Sequence, residues 1–441
     1  MKVNIPTASN MRTNSNVGAL TEFGVHISSS PPSATCSSSA SNSSGSSNSW
    51  AALPSLLNEK LSIYVTQQQR QQPPPTRVQP PAPPQKQQSR GEPTELIVNS
   101  NTKSSAYDVK QTMALKGYDI PHTNYFAKTL QGSIWRGTSR NCFNQNIVIK
   151  VADKSLHAAR KSIINETAVH VDEDIVSEAH ILRYLTMHGM QHGLQQYMAC
   201  YVDFFEDAHN YLLVMQDAGS SLFSFVLEAH KYIRAGSLSV SEWQKVCKRM
   251  SYQISSCVDI LHNQMAVCHL DISLENMLIK DVSVMMLPGH ANQLCFIPVF
   301  KVKICDFGLA ECFDSRANPR FLCSKFVGKK SYKSPEVYAK QSNFDARAAD
   351  CWSLAVCMFA MALGCMPYNT PCASDQCFAW LMSGYASHLL QQWHKLHYVH
   401  KLQLDLLLRV FTPPSQRLTI DQILRHDWFK QTVPMTSCTP N

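Results

Sequence analysis

Hydrophobic and polar positions change rhythm several times along the 441 residues, and each change marks a boundary. Residues 1 to about 120 have no sustained period. Ser39 to Ser49 reads S-A-S-N-S-S-G-S-S-N-S, followed further on by Q-Q-Q-R-Q-Q-P-P-P and P-P-A-P-P-Q-K-Q-Q. Segments so poor in apolar side chains cannot offset their ordering entropy, and this region is expected to be a disordered Ser/Pro/Gln-rich tether. The run Pro80 to Pro84 has the composition of a polyproline ligand for an adaptor domain and, more simply, of a spacer. The apolar island Ala52 to Leu57 is read as a docking motif or as nothing at all.

Regular periods start near Tyr125. In Asn146 to Ala152, N-I-V-I-K-V-A, alternation predicts a strand with Val148 and Lys150 on one face and Ile147 and Ile149 on the other. Asp172 to Leu185 is acidic in its first turn and then apolar at Ile175, Ala179, Leu182 and Leu185, one face of a helix. Strands are expected around Met198 to Phe205 and Tyr211 to Met215. Ser239 with Glu242 makes an S-x-x-E capping box, opening a helix whose stripe is Trp243, Val246, Cys247, Met250, Ile254, Val258 and Leu261. Cys351 to Met366 is apolar on every side but shorter than the roughly 20 residues that cross a bilayer. Asp350 and Pro367 bracket it, so it reads as a buried helix and no membrane partner is expected.

Charge and cysteine content narrow the class further. The net charge of +8 is spread over scattered basic residues, so no nucleic-acid surface is expected. Sixteen cysteines without a C-x-x-C pair read as reduced thiols, which with the missing apolar leader predicts an intracellular protein, cytoplasmic or nuclear.

The chemistry concentrates in Cys268 to Ile279, C-H-L-D-I-S-L-E-N-M-L-I, and in Lys303 to Leu309, K-I-C-D-F-G-L. Phosphoryl transfer from a nucleoside triphosphate needs an acid that accepts a hydroxyl proton, and an amide and a carboxylate oxygen that hold a divalent cation. Asp271, Asn276 and Asp306 supply these, with Asp271 and Asn276 spaced to share one loop. Upstream stands I-V-I-K ending at Lys150, then Glu178; downstream come S-P-E at Ser334 to Glu336 and D-C-W-S at Asp350 to Ser353. In this order the motifs resemble those of the eukaryotic protein kinase superfamily, as a divergent serine/threonine member, from about Tyr125 to Lys430.

The resemblance implies an α+β bilobal fold in 121–432: a small antiparallel β-sheet lobe with one long helix (about 121–216), a larger, mostly helical lobe (about 217–432) and a short tail, 433–441. It implies ATP and Mg²⁺ as cofactors and a protein substrate. Asp271 would be the base, Asn276 and Asp306 the metal ligands, and Lys150 the phosphate-binding cation oriented by Glu178. Gly132 would approach the phosphates. Val148, Met215, Gln216 and Ala218 would line the adenine site. Glu336 would pair with Arg417. The long Lys150 to Glu178 interval implies an insertion around Ser155 to Val171, with Glu166 a competitor for the role of Glu178.

Four positions depart from the family text. Leu130, Gly132 and Trp135 stand where three glycines are usual, or the loop is shortened. Leu270 replaces the arginine before Asp271, which implies activity without activation-segment phosphorylation. Ser273 replaces a lysine that touches the γ-phosphate, a loss of about 2 kcal/mol of stabilisation. Lys329 replaces a threonine bonded to the catalytic Asp. The damaged loop and Ser273 motivate a second reading, a pseudokinase acting as scaffold or binding module.

Overall fold

The computed structural model describes residues 102–121, 125–142, 145–164, 167–288 and 294–430. The proline run, Ala52 to Leu57, Glu166 and the expected tail lie outside the described residues. Helix α1 (Thr102–Leu115) precedes strands β1 (Tyr118–Asp119), β2 (Ala127–Lys128), β3 (Gly132–Ser139) and β4 (Gln145–Asp153). After a short helix α2 (Lys154–Ala158), β5 (Lys161–Ile164) and β6 (Thr167–His170) pair as a separate hairpin. That hairpin is the insertion expected from the long Lys150 to Glu178 interval. Helix α3 (Ile175–Gly189), β7 (Tyr201–Glu206) and β8 (Asn210–Gln216) complete the small lobe.

Its six-stranded sheet runs in the order β1-β3-β4-β8-β7, with β2 also on β3. The alternation in β4 sorts as expected. Ile147, Ile149 and Val151 join Trp135, Leu212 and Val214 in one core under Val109 and Met113 of α1 and Tyr118 of β1. Val148 and Lys150 face the other way, towards the cleft. Helix α1 and β1, which precede the boundary expected at about 120, pack onto the sheet through Val109, Met113 and Tyr118.

The large lobe begins with β9 (Ser220–Ser221), α4 (Leu222–Arg234) and α5 (Val240–Asp259). The capping box at Ser239 and Glu242 is formed, and the α5 stripe is buried. A single π turn, Ile260–Gln264, leads into β10 (Val267–Cys268). Strands β11 (Met277–Pro288) and β12 (Leu294–Ile304) make the long hairpin that the sequence implies between the two chemical motifs. Next come the short helix α6 (Pro335–Tyr338) and the central helix α7 (Ala346–Leu363). By length and composition α7 could cross a membrane, but 83% of its apolar window is buried among its neighbours. It starts five residues before Cys351, because Asp345 caps it by accepting from the amides of Arg347 and Ala348.

Candidate active site

Asp350, at the start of α7, fixes the loop that carries Asp271. Its carboxylate accepts from the amides of His269 (2.8 Å) and Leu270 (2.9 Å), and the His262 imidazole lies 3.0 Å away. These bonds hold Leu270 at φ 61°, a left-handed conformation that a leucine adopts only under constraint. The next residue, Asp271, is thereby turned into the cleft. Asn276 Nδ2 donates to both the carbonyl (2.9 Å) and Oδ2 (2.7 Å) of Asp271, so the five-residue spacing does close one loop. His269 is structural, as expected: its Nε2 donates to Cys305 O (3.2 Å) and its ring packs on Phe307.

The cation of the small lobe reaches the same place. Lys150 Nζ donates to Glu178 Oε2 (2.8 Å) and Asp306 Oδ1 (2.9 Å). Glu178 Oε1 accepts from the Phe307 amide (3.2 Å), which ties α3 to the turn after Asp306. Burial works against the Lys150 charge, but Asp306 and Glu178 outweigh it and raise the ammonium well above its usual range. Burial likewise pushes the Asp306 carboxyl up, and Lys150 more than offsets that, holding it below the usual carboxylate range. Cys305 N donates to Asn276 O (2.9 Å), which registers the Asp306 turn against the Asp271 loop. The amide oxygen of Asn276 and the carboxylate of Asp306 are hard donors, a set that fits a divalent cation.

Helix α3 is held in this position at its N-terminus. Asp174 accepts from the amides of Val176 (3.0 Å) and Ser177 (3.1 Å), and from Arg160 (2.7 Å), with His157 at 3.1 Å. Burial pushes its carboxyl up, but the Ser177 amide, His157 and Arg160 prevail and bring it down to about 2. A carboxylate depressed on folding stabilises fully above its unfolded value near pH 4 and loses that contribution as pH falls through about 2. Asp174→Ala is therefore expected to cost about 1–2 kcal/mol at neutral pH. In urea melts the gap from wild type should shrink steadily below about pH 4; a gap independent of pH would contradict the assignment.

The wall above the cleft is set by strand register. Val148 stands directly opposite Met215, and Lys150 opposite Leu213. Gln216 ends β8, and Ala218 is buried just beyond it. Gly132 opens β3 paired with Ala152, and an added Cβ would meet Val151 O at 2.0 Å, so close approach to β4 by itself requires glycine here. The glycine-rich loop is shortened to a tight turn closed by Thr129 N to Gly132 O (3.0 Å). Trp135 points into the outer core. Sequence reasoning missed Arg136, which lies opposite Val148 with its guanidinium stacked 3.8 Å over Phe126.

It also misjudged Ser273 and Lys329. The ammonium that Ser273 cannot provide is present: Lys329 Nζ donates to Asp271 Oδ2 (2.8 Å), Ser273 Oγ (3.0 Å) and Asn276 Oδ1 (3.1 Å). Its amide donates to Asp271 Oδ1 (2.9 Å). The Asp271 loop is thus not short of a positive charge. Beyond it, Ser334 leads into α6, where Glu336 is bound by Arg417 as expected. The Cys305 thiol, beside Asp306, is pushed up by burial and is a poor nucleophile.

A family model described as protein kinase domain matches residues 136–429. The chain is also similar to the serine/threonine-protein kinase SAPK7 of Oryza sativa subsp. japonica, 28% identical over 230 residues, 51% of this chain and 54% of that protein. Serine/threonine-protein kinase SRK2A of Physcomitrium patens is 28% identical over 230 residues, 51% and 56% of the two chains. The abscisic acid-inducible protein kinase of Triticum aestivum is 28% identical over 228 residues, 51% and 58%. The chain spans about half the length of these relatives.

Proposed function

Because the chain belongs to the protein kinase domain family, we propose that it transfers the γ-phosphate of ATP to serine or threonine hydroxyls of protein substrates. The observation that carries this reading is the closed set Lys150, Glu178 and Asp306 beside the bonded pair Asp271 and Asn276. A scaffold that only binds a partner has no chemical need of all five. Lys150 steadies the nucleotide's phosphate tail, and Glu178 keeps that cation in place. Asp271 orients the acceptor hydroxyl and takes its proton as the new oxygen–phosphorus bond forms and the bond to the ADP leaving group breaks. Mg²⁺, when bound by Asn276 and Asp306, neutralises charge on the phosphate oxygens. Val148 and Met215 provide the apolar wall for the base, with the backbone of Gln216 and Ala218 at its edge.

The test is Mg²⁺-dependent incorporation of labelled phosphate from ATP into a generic protein substrate, followed by phosphoamino-acid analysis. Phosphoserine and phosphothreonine are expected; no incorporation by the wild-type chain would leave the binding-module reading. The shortened glycine loop supports a weak affinity for ATP, since fewer backbone amides can approach the phosphates. An intracellular setting, cytoplasmic or nuclear, belongs to the same proposal and is supported by cysteines that are free thiols among the described residues.

Leu270 leads to a further expectation. With no arginine before Asp271, the loop is held by Asp350 instead of by a phosphorylated segment. The combined substitution of Ser315, Ser324 and Ser331 by Ala and of Tyr332 by Phe is expected to retain turnover. Its abolition, in a protein that still melts like wild type, would contradict this.

A further inference from the structure

We propose that Lys329 is the cation that grips the transferred phosphoryl group, and that in this chain it is delivered by the segment 327–333, which leads into α6, instead of by the catalytic loop around Asp271. This rests on the kinase reading above. The usual arrangement places a lysine two residues after the base and a threonine on the crossing segment. Here the two have changed places, with Ser273 on the loop and Lys329 on the segment. Acid, hydroxyl and ammonium are all still present, and they still meet.

The backbone explains how. Gly328 crosses the catalytic loop at φ 93°, where an added Cβ would lie 2.7 Å from Leu270 O. Only glycine passes so close in that conformation. The crossing places the Lys329 amide on Asp271 Oδ1 and lets the side chain fold back over the loop. All three acceptors of its ammonium belong to that loop: Asp271 Oδ2, Ser273 Oγ and Asn276 Oδ1. Ser273 is fully buried and its hydroxyl serves as a fixed support. The longest of the three bonds goes to Asn276 Oδ1, an oxygen that suits a divalent cation. Were that oxygen to hold a divalent cation, one N–H of Lys329 would be freed beside the base. The side chain keeps 38% of its surface open, so the ammonium is not sealed off from an incoming group.

A rival account makes Lys329 a structural clasp that merely neutralises Asp271. The two differ in what they predict for an anion at the phosphoryl position. By calorimetry, wild type should bind MgADP with aluminium fluoride, a mimic of the group in flight, more tightly than MgADP alone. Lys329→Met should lose that advantage while binding MgADP as wild type does, and kcat should fall on the order of 10²-fold with KM for ATP little changed. The transposed variant Ser273→Lys with Lys329→Thr should recover most of both. Variants are compared only where their melting curves match wild type. Lys329→Met with an undiminished preference for the fluoride complex overturns the assignment, as does a folded transposed variant that recovers neither property. Absence of phosphate transfer by wild type would instead overturn the kinase reading itself.

Discussion

Asp271→Asn is expected to lower kcat for phosphate transfer by about 10²–10⁴-fold, the range over which a positioned base contributes, and to leave nucleotide binding close to wild type. The substitution is nearly isosteric. Asn276 Nδ2 would still donate to the backbone carbonyl of residue 271, and the Lys329 amide would still find an oxygen acceptor. What disappears is the charge that Lys329 Nζ balances and the capacity to take a proton. Lys150, Glu178 and Asp306 are untouched, so the nucleotide's anchor survives. Steady-state kinetics with a protein acceptor, together with calorimetric titration of ATP, separate the two effects. Equal incorporation by wild type and variant would return the protein to the class of binding modules.

Much of this centre could be read directly from the sequence because its members sit within short, locally closed units. Asp271 and Asn276 share one loop, and the alternation of β4 alone decides that Lys150 faces the cleft with Val148. Glu178 was recognisable from the acidic turn and the apolar face behind it. Lys329 was not, because its contacts with Asp271 and Ser273 cross more than fifty residues of sequence and depend on one positive φ at Gly328. Read as two separate substitutions, Ser273 and Lys329 look like two losses; in space they are one exchange. The packing role of Gly132 was hidden for a similar reason: only register shows that it opens a strand pressed against Val151. The packing of α1 was obscured by composition: Val109 and Met113 are isolated in a polar stretch, and it is the sheet's outer face, Ile147, Ile149 and Val151 among it, that gives them something to bury.

Glu336→Ala is expected to destabilise the large lobe by about 3–5 kcal/mol, the usual cost of leaving one member of a buried ion pair alone. Both residues are almost wholly buried. Arg417 grips the carboxylate with both terminal nitrogens, Nη2 to Oε2 at 3.0 Å, donates to Ala348 O (2.9 Å) and Thr412 O (3.1 Å), and lies 4.9 Å over the Trp352 ring. Removing Glu336 strands a guanidinium that cannot shed its proton. The midpoint should fall by roughly 6–20 °C, taking about 2–4 °C per kcal/mol for a domain of this size. Glu336→Leu combined with Arg417→Met should cost less than Glu336→Ala alone, because no unpaired charge remains. A single variant that melts with wild type would show the pair to be dispensable. Glu336 follows directly on the segment that bears Gly328 and Lys329, and Arg417 ties that segment's far end to α7, whose Asp350 holds the Asp271 loop. The same ion pair therefore bears on function. Below its own midpoint, Glu336→Ala should lose phosphate transfer before it loses helical signal, since the crossing at Gly328 depends on an anchor that the helices do not.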